Sequence, residues 1–181
     1  MTTGYKMKDE KDRKWYAVYT HFNNEKKVAS QLTRKGIEAY LPLQKILRQW
    51  SDRKKWVEEP LIRSYVFVHI TLFEAEVLRF TPGIASIVSF GGRFVPITQQ
   101  EMDLLHLICG QQPEVMDSPQ DLFAGDMVEV IAGPLLGIRA ELTSWKGKQK
   151  VIVRIEALNR YLLVDVPAYC IRKTSMQPNV A

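Results

Sequence analysis

The spacing of hydrophobic residues changes along the chain and predicts strands and helices in turn. The run Trp15-Tyr16-Ala17-Val18-Tyr19 is aromatic and β-branched, which is typical of a strand. Val28 and Leu32 recur at helical spacing, and Gly36 suits the left-handed exit of that helix. The next predicted elements are a strand over 37–47 interrupted by Pro42, a strand over 61–70, a short helix over 74–80 and a strand over 84–90.

Turn and cap signals complete this first module. Asn23 or Asn24 is expected to cap the first helix, and Gly91-Gly92 predicts a hairpin turn. Thr98 and Glu101 have the spacing of a capping box. The helix that they open turns three apolar residues inward, Met102, Leu105 and Ile108. The order β-α-β-β-α-β-α predicts an α+β domain, an antiparallel sheet covered by helices on one face.

The last module has a different pattern, in which short strands follow one another at about ten-residue spacing. Val128 and Val130 alternate with Met127, Glu129 and Ile131, and Gly133-Pro134 ends that strand. The strands predicted after it lie near 140–145, 151–155 and 161–166, and a final bend at Pro167 precedes residues 169–172. This pattern is typical of a small all-β barrel.

The two patterns divide the chain into modules. Residues 111–121 carry Pro113 and Pro119 without hydrophobic periodicity, which predicts a linker. The predicted organisation is a polar tail over 1–12, an α+β domain over 13–110, the linker, a barrel over 122–175 and a tail over 176–181.

The positive charge of the chain belongs to the first module. Residues 1–110 contain 17 Lys and Arg against 12 Asp and Glu, whereas residues 111–181 contain 8 of each. The whole net charge of +5 therefore falls on the α+β domain. A basic surface attracts polyanions by releasing their counterions, so nucleic acid is an expected partner.

Several classes of protein are disfavoured. No apolar run approaches the roughly 18 residues of a membrane helix, and the first residues lack the apolar stretch of a signal peptide. Cys109 and Cys170 share no short spacing and are read as reduced thiols. We expect a cytoplasmic protein that is not associated with membranes and is a monomer.

Enzymatic chemistry is not indicated either. His106 and Cys109 have a ligand spacing on a helix but lack two further ligands, and Glu58 and Glu59 point in opposite directions on a strand. No glycine-rich phosphate loop or serine elbow is present. We predict no catalytic residues, no metal and no cofactor.

Taken in order, several short motifs resemble the NusG family of transcription elongation factors. They are Trp15-Tyr16-Ala17-Val18-Tyr19, Glu25-Lys26-Lys27-Val28, Tyr40-Leu41-Pro42, the strand from Pro60 to Val68, Thr81-Pro82-Gly83-Ile84, and Gly125 to Gly137. The resemblance implies a NusG N-terminal domain followed by a KOW motif on an SH3-like barrel.

The chain departs from the family pattern in two places. Ile62-Arg63-Ser64 replaces the usual Phe-Pro-Gly, and Ala140 stands at a usual glycine. Residues 44–59 look most like the specialised UpxY-type antiterminators, with RfaH a more distant relative.

The resemblance implies that the first domain binds the clamp of bacterial RNA polymerase. The position that matches the family is Tyr65, with Ile62, Phe67, Tyr40 and Trp15 as its neighbours. The alternative is that Trp15, Phe67 and Tyr40, or Tyr65 itself, belong to the core of the sheet. Glu74, Ala75 and Glu76 fall where relatives touch the opposite lobe of the polymerase.

Two surfaces are expected to bind nucleic acid. By the resemblance, the residues that meet the non-template DNA strand of the transcription bubble are His21, Asn23, Lys27, Gln31 and Arg34. The second surface is a basic segment from Lys45 to Trp56, which overlaps a predicted hairpin tip or mobile loop over 49–59. Its cations suit phosphate, and its Trp50 and Trp56 suit bases. Its cations are Lys45, Arg48, Arg53, Lys54 and Lys55. The alternatives are a solvated helix face and a hairpin whose tryptophans fold back onto the sheet.

The barrel is expected to recruit a ribosomal protein or a termination factor, as the family's KOW module does. The candidate residues surround its first turn and are Phe123, Leu135, Leu136, Ile138 and Arg139, of which Leu135 and Ile138 equally suit the barrel's own core. Three functions stay open at this point. They are an operon-specific antiterminator for surface polysaccharide genes, a general elongation and termination-coupling factor, and an RNA- or ribosome-binding KOW protein.

Overall fold

A computed structural model describes residues 12–111, 115–118, 125–133, 135–145 and 148–174. The strands are β1 (Lys14–Thr20), β2 (Glu38–Tyr40), β3 (Leu43–Gln49), β4 (Lys54–Pro60), β5 (Tyr65–Ile70), β6 (Ile84–Ile87), β7 (Ser89–Phe90), β8 (Arg93–Phe94), β9 (Pro96–Ile97), β10 (Val115–Ser118), β11 (Met127–Val130), β12 (Arg139–Trp145), β13 (Lys148–Ile155), β14 (Arg160–Asp165) and β15 (Ile171–Lys173). The helices are α1 (Glu25–Arg34), α2 (Ala75–Arg79) and α3 (Gln99–Gln111).

The described residues fall into two compact units. The first contains the described residues up to Pro42 and Ile62–Met102, and the second contains Leu43–Leu61 and the described residues from Asp103 onward. The predicted domain limits at 110 and 122 stay a prediction.

The first unit is built on an antiparallel sheet in the order β2-β5-β1-β6, with β9 also paired to β1. β1 and β5 form its centre, with Trp15 opposite His69 and Tyr19 opposite Tyr65. The predicted α+β class with an antiparallel sheet is confirmed. The strand predicted over 37–47 is divided at Pro42 into β2 and β3, as the proline suggested.

Helices α1 and α2 cover one face of this sheet. Val28 and Leu32 of α1 and Leu78 of α2 are fully buried. They belong to one cluster with the sheet residues Tyr16, Val18, Val66, Val68 and Ile70. Burial of each such side chain contributes about 1.5–3 kcal/mol. The same burial raises the pKa of the Tyr16 phenol above its ordinary value.

The start of α1 differs from the predicted cap. Asn24 occupies the N-cap position, but its side chain makes no capping hydrogen bond. Its φ and ψ of −98° and −1° are helical rather than extended. Its side-chain amide nitrogen, Nδ2, donates instead to the Phe22 carbonyl at 3.1 Å. The expected asparagine cap is therefore wrong in its mechanism, although the position is right.

The start of α3 agrees with the prediction. The Thr98 amide donates to the Glu101 carboxylate at 2.8 Å, and the Glu101 amide donates to Thr98 Oγ1 at 3.2 Å. This reciprocal pair is a capping box. The three residues predicted to point inward, Met102, Leu105 and Ile108, are buried.

The predicted hairpin tip over 49–59 lies on a longer two-stranded hairpin, β3–β4. It pairs Leu43 with Pro60 at its base and Gln49 with Lys54 next to its turn. The turn is closed by a hydrogen bond from the Trp50 amide to the Arg53 carbonyl at 2.8 Å. Most of the segment that the sequence suggested as a loop is therefore regular antiparallel ladder.

The second unit contains an all-β sheet in the order β10-β14-β13-β12-β11-β15. The alternating Val128 and Val130 are buried, as their spacing predicted. Part of the predicted linker forms a strand, because Val115–Ser118 pairs with Tyr161–Val164 of β14. The linker interpretation missed these four residues, since edge strands are set by the neighbouring ladder more than by their own periodicity.

Within the described ranges, no helix is long and apolar enough to cross a membrane. No group of three potential metal ligands occurs in the same part of the chain. Cys109 and Cys170 are both free thiols, and Cys170 is buried.

Gly83 supplies a test of the packing between α1 and the loop before β6. Its φ is +98°, and a Cβ there would lie 2.9 Å from Val28 Cγ2. Gly36 also has a positive φ of +77°, but a Cβ added to it would meet none of the described residues within 4 Å, apart from its chain neighbours. We expect Gly83→Ala to lower the free energy of unfolding by about 2–5 kcal/mol through strain and overpacking.

The matched control is Gly36→Ala, which introduces backbone strain alone and is expected to cost about 1–2 kcal/mol. Urea unfolding of both variants followed by circular dichroism measures the difference. Equal losses would show that the contact with Val28 does not constrain this packing.

Candidate functional site

The face of the first sheet opposite α1 and α2 is a row of aromatic residues. Because side chains alternate along a strand, Trp15, Ala17 and Tyr19 of β1 share this face. Their partners on β5 are His69, Phe67 and Tyr65. Tyr40 of β2 lies opposite Phe67 and extends the row.

The aromatic rings are held by one another. Tyr19 and Tyr65 meet edge to face, with centroids 5.3 Å apart and an angle of 69°. Trp15 stacks on His69 at 5.0 Å, and His69 Nδ1 lies 2.8 Å from the Glu38 carboxylate. Aromatic pairs of this kind add about 0.5–1.5 kcal/mol to simple burial. The rings therefore present a fixed surface rather than mobile side chains.

Exposure divides the candidates for the polymerase contact. Trp15, Ile62 and Phe67 are buried. For Trp15 and Phe67 this burial agrees with the alternative that they belong to the core. Tyr65 and Tyr40 are half-buried and remain accessible. Tyr19, which is 43% exposed, was missed by sequence reasoning. The alternation along β1 could have found it, because Tyr19 shares a face with Trp15.

The acidic candidates near α2 have local partners. Glu74 accepts hydrogen bonds from Arg13 Nη2 at 2.7 Å and from the Thr71 amide at 2.9 Å. Glu76 is exposed and lies 3.4 Å from Arg79. Ala75 is buried. Of these three, Glu76 is the most accessible to a partner.

The α1 candidates form an exposed polar edge. Lys27, Gln31 and Arg34 recur on one face of α1, where Lys27 and Arg34 are exposed and Gln31 is half-buried. His21 and Asn23 lie exposed just before the helix. The His21 amide donates to the Gly83 carbonyl at 2.9 Å, so the loop before β6 positions this end. The arrangement suits contact with phosphates and base edges.

The β3–β4 hairpin carries the other basic candidates, and all of them are exposed. Arg48 forms a bidentate ion pair with Glu59, with nitrogen-to-oxygen distances of 2.8 and 2.9 Å. Arg53 lies 3.9 Å from Asp52. Trp50 and Trp56 are 52% and 64% exposed. The alternative that the tryptophans fold back onto the sheet does not match these exposures.

The candidates on the second unit separate in the same way. Leu135 is buried, as its core alternative predicted, whereas Leu136 and Arg139 are exposed and Ile138 is half-buried. Phe123 lies outside the described residues. Tyr169 is 80% exposed, and the Ile131 amide donates to the carbonyl of the adjacent Cys170 at 2.8 Å. Sequence reasoning missed this tyrosine because it looked for candidates only around the first turn of the barrel.

Comparison with known proteins gives a consistent result. The family described as "Transcription termination factor nusG" matches residues 13–106, which is more than half of the chain. The transcription termination/antitermination protein NusG of Deinococcus radiodurans is 31% identical over 78% of this chain and 90% of its own length. The chain belongs to the NusG family.

Further relatives support the same assignment. The NusG protein of Thermus thermophilus is 28% identical over 78% of this chain and 89% of its own length. A solved structure of Thermotoga maritima NusG matches with a TM-score of 0.56 at 25% identity, and covers 89% of this chain and 97% of that one. Membership of this family of transcription factors agrees with the prediction of a protein that is not an enzyme.

Within the NusG pattern, the departure at Ser64 has a structural consequence. Ser64 has a φ of 63°, a left-handed conformation at the position where the family resemblance expects glycine. Its amide donates to the buried Glu25 carboxylate at 2.8 Å, and its carbonyl accepts from the Thr20 amide at 2.8 Å. These two bonds hold the conformation directly before Tyr65.

We expect Ser64→Gly to raise the free energy of unfolding by about 0.5–1 kcal/mol, because glycine removes left-handed strain at some cost in chain entropy. Thermal unfolding measures the effect as a higher midpoint. Ser86→Gly in β6 is the control, and it is expected to lower the midpoint because glycine weakens a strand. A lower midpoint for Ser64→Gly would mean that the serine side chain stabilises this turn.

Proposed function

We propose that the chain binds elongating bacterial RNA polymerase through Tyr19, Tyr40 and Tyr65, which we call the tyrosine face. The observation that carries this proposal is the contact between Tyr19 and Tyr65 beside a buried aromatic row. Tyrosines on a rigid sheet lose little entropy on binding and are frequent anchors of interfaces. An apolar helical pair such as a clamp coiled coil is a suitable partner for such a surface.

A second contact with nucleic acid is proposed on the polar edge of α1. His21, Asn23, Lys27, Gln31 and Arg34 would face the non-template DNA strand of the transcription bubble. The exposure of the two cations and the fixed start of α1 support this role. Such contacts position a factor on the bubble, and amide and guanidinium groups also discriminate bases.

The proposed effect is promotion of processive elongation. A factor that binds the active state of polymerase more tightly than the paused state shifts the equilibrium toward elongation. A differential affinity of about 1.4 kcal/mol shifts it tenfold. Contact of Glu76 with the opposite lobe would add to such a preference by holding the clamp closed. The proposed partner implies a cytoplasmic protein.

We further propose that the factor acts on a dedicated operon, of the surface polysaccharide type. Support comes from the basic hairpin with exposed tryptophans, which resembles specialised antiterminators. A general elongation and termination-coupling role is the second candidate. It is favoured by the termination/antitermination NusG proteins that are 31% and 28% identical to the chain.

The second unit is proposed to recruit a further partner, a ribosomal protein or a termination factor. Leu136 and Arg139 are accessible for such a contact at the first turn of the sheet. If pull-down from lysate recovered ribosomal subunits without polymerase, an RNA- or ribosome-binding role would replace the proposal above.

Tyr65→Ala tests the tyrosine face. We expect it to weaken binding to a purified elongation complex by about 5- to 150-fold, which corresponds to about 1–3 kcal/mol for a central aromatic anchor. Tyr65→Phe keeps the ring and its contact with Tyr19, and it is expected to retain most of the affinity. Fluorescence titration of labelled protein with the complex measures both.

The control is Tyr169→Ala, which removes an exposed tyrosine from the second unit and should leave polymerase affinity unchanged. Native affinity of Tyr65→Ala would refute the tyrosine face. Unchanged pause lifetimes with the wild-type chain on a pausing template would refute the proposed effect on elongation.

The dedicated and general roles predict different template dependence. A dedicated factor should shorten pauses strongly only on templates that carry the leader of its own operon. A general factor should act equally on unrelated templates. Pause half-lives on both kinds of template, measured at one protein concentration, distinguish the two.

A further inference from the structure

We infer that the β3–β4 hairpin is a binding arm for single-stranded nucleic acid, in which Trp56 stacks on an unpaired base and Lys54 contacts a neighbouring phosphate. The inference concerns a surface separate from the tyrosine face. It requires no polymerase, so it can fail or hold independently of the proposed function.

The register of the hairpin separates its side chains into two faces. Directly opposed residues of an antiparallel pair share a face, and residues two apart along a strand return to it. Leu47 lies opposite Trp56, and Gln49 lies opposite Lys54. With Lys45 and Glu58, which are also opposed, these residues form one face, which we call the open face.

Exposure shows that the open face is uncovered along its length. Leu47 is 47% exposed and Trp56 is 64% exposed, and the other members of this face are exposed as well. On the opposite face, Ile46 and Val57 are half-buried and Glu59 is occupied by its ion pair with Arg48. The indole of Trp56 is therefore exposed to solvent and does not contribute to a core.

The cations near Trp56 are available for an external anion. Among the described residues, Lys45, Lys54 and Lys55 make no ion pair, whereas Arg48 is paired with Glu59. Lys54 lies two residues from Trp56 on the open face, which is about 7 Å along a strand. Trp50 and Arg53 lie in the turn between the two strands of the hairpin, together with the acidic residue Asp52.

This combination favours a single strand over the other candidates. An exposed aromatic plane beside unpaired lysines matches a ligand that has both an aromatic base and a phosphate. In a duplex the bases are already stacked on each other and present no free plane to an indole. A purely apolar protein helix would bury Trp56 but would leave the lysines beside it without counterions.

Substitutions at Trp56 test stacking directly. The full chain is titrated into labelled oligothymidylate, oligouridylate and a DNA duplex at low salt, with fluorescence anisotropy as the readout. We expect both single strands to bind more tightly than the duplex. Trp56→Ala should weaken single-strand binding by about 5- to 150-fold, which is the range for one stacked base. Trp56→Phe should retain most of the affinity.

Trp56→Leu distinguishes stacking from general apolar contact, because leucine is apolar but offers no ring. It should lose as much affinity as the alanine variant. Phe90→Ala is the matched control, since Phe90 is 85% exposed on the β7–β8 hairpin opposite Arg93. It should bind like the wild type. Circular dichroism of each variant confirms that the fold is retained.

Lys54 is tested by salt dependence. Lys54→Ala should lower the slope of log affinity against log salt by about 0.7, which is the contribution of one single-strand phosphate contact. Arg93→Ala should leave the slope unchanged and serves as the charge control.

Four results would overturn the inference. The first is no measurable binding of single strands by the full chain at low salt, and the second is tighter binding of the duplex. The third is wild-type affinity in Trp56→Leu, and the fourth is an unchanged salt slope in Lys54→Ala. If the single strands fail to bind while Trp56→Ala weakens polymerase binding, the hairpin is instead a protein contact.

Discussion

The pairing of β1 with β5 is the interaction on which the first unit depends. Its register, with Ala17 opposite Phe67 and Val18 opposite Val66, decides which side chains face α1 and which face away. A shift of β1 by one residue relative to β5 would turn Val18 out of the core and bring Tyr19 into it. The burial of Val18 and Val66 beneath α1 therefore fixes the position of the aromatic row on the other face.

The connections to this central pair are equally specific. Glu25, the first residue of α1, accepts a hydrogen bond from the Ser64 amide just before β5. The Thr20 amide at the end of β1 donates a hydrogen bond to the Ser64 carbonyl. Gly83 packs against Val28, and its carbonyl accepts a hydrogen bond from the His21 amide. The same few contacts therefore position the polar edge of α1 and the tyrosine face, although these two surfaces lie on different elements.

Much of this arrangement could be predicted from residue spacing. Val28 and Leu32, Thr98 and Glu101, and Val128 and Val130 all behave as their patterns indicated. Local signals sufficed there because each pattern depends on one element. The hydrogen bonding of the Asn24 side chain, the strand at Val115–Ser118 and the exposure of Tyr19 depend on surroundings that spacing alone does not describe. For the same reason, Trp15 and Phe67 could not be separated from Tyr65 before their burial was known.

The edge-to-face contact of Tyr19 and Tyr65 has a consequence for divergence among relatives. Because each ring supports the other, replacing one leaves its neighbour without part of its packing, and the two losses will not add independently. Lineages that alter this patch should therefore do so through paired exchanges that preserve the contact. Covariation between these two positions would record how the surface adapted to a changing partner.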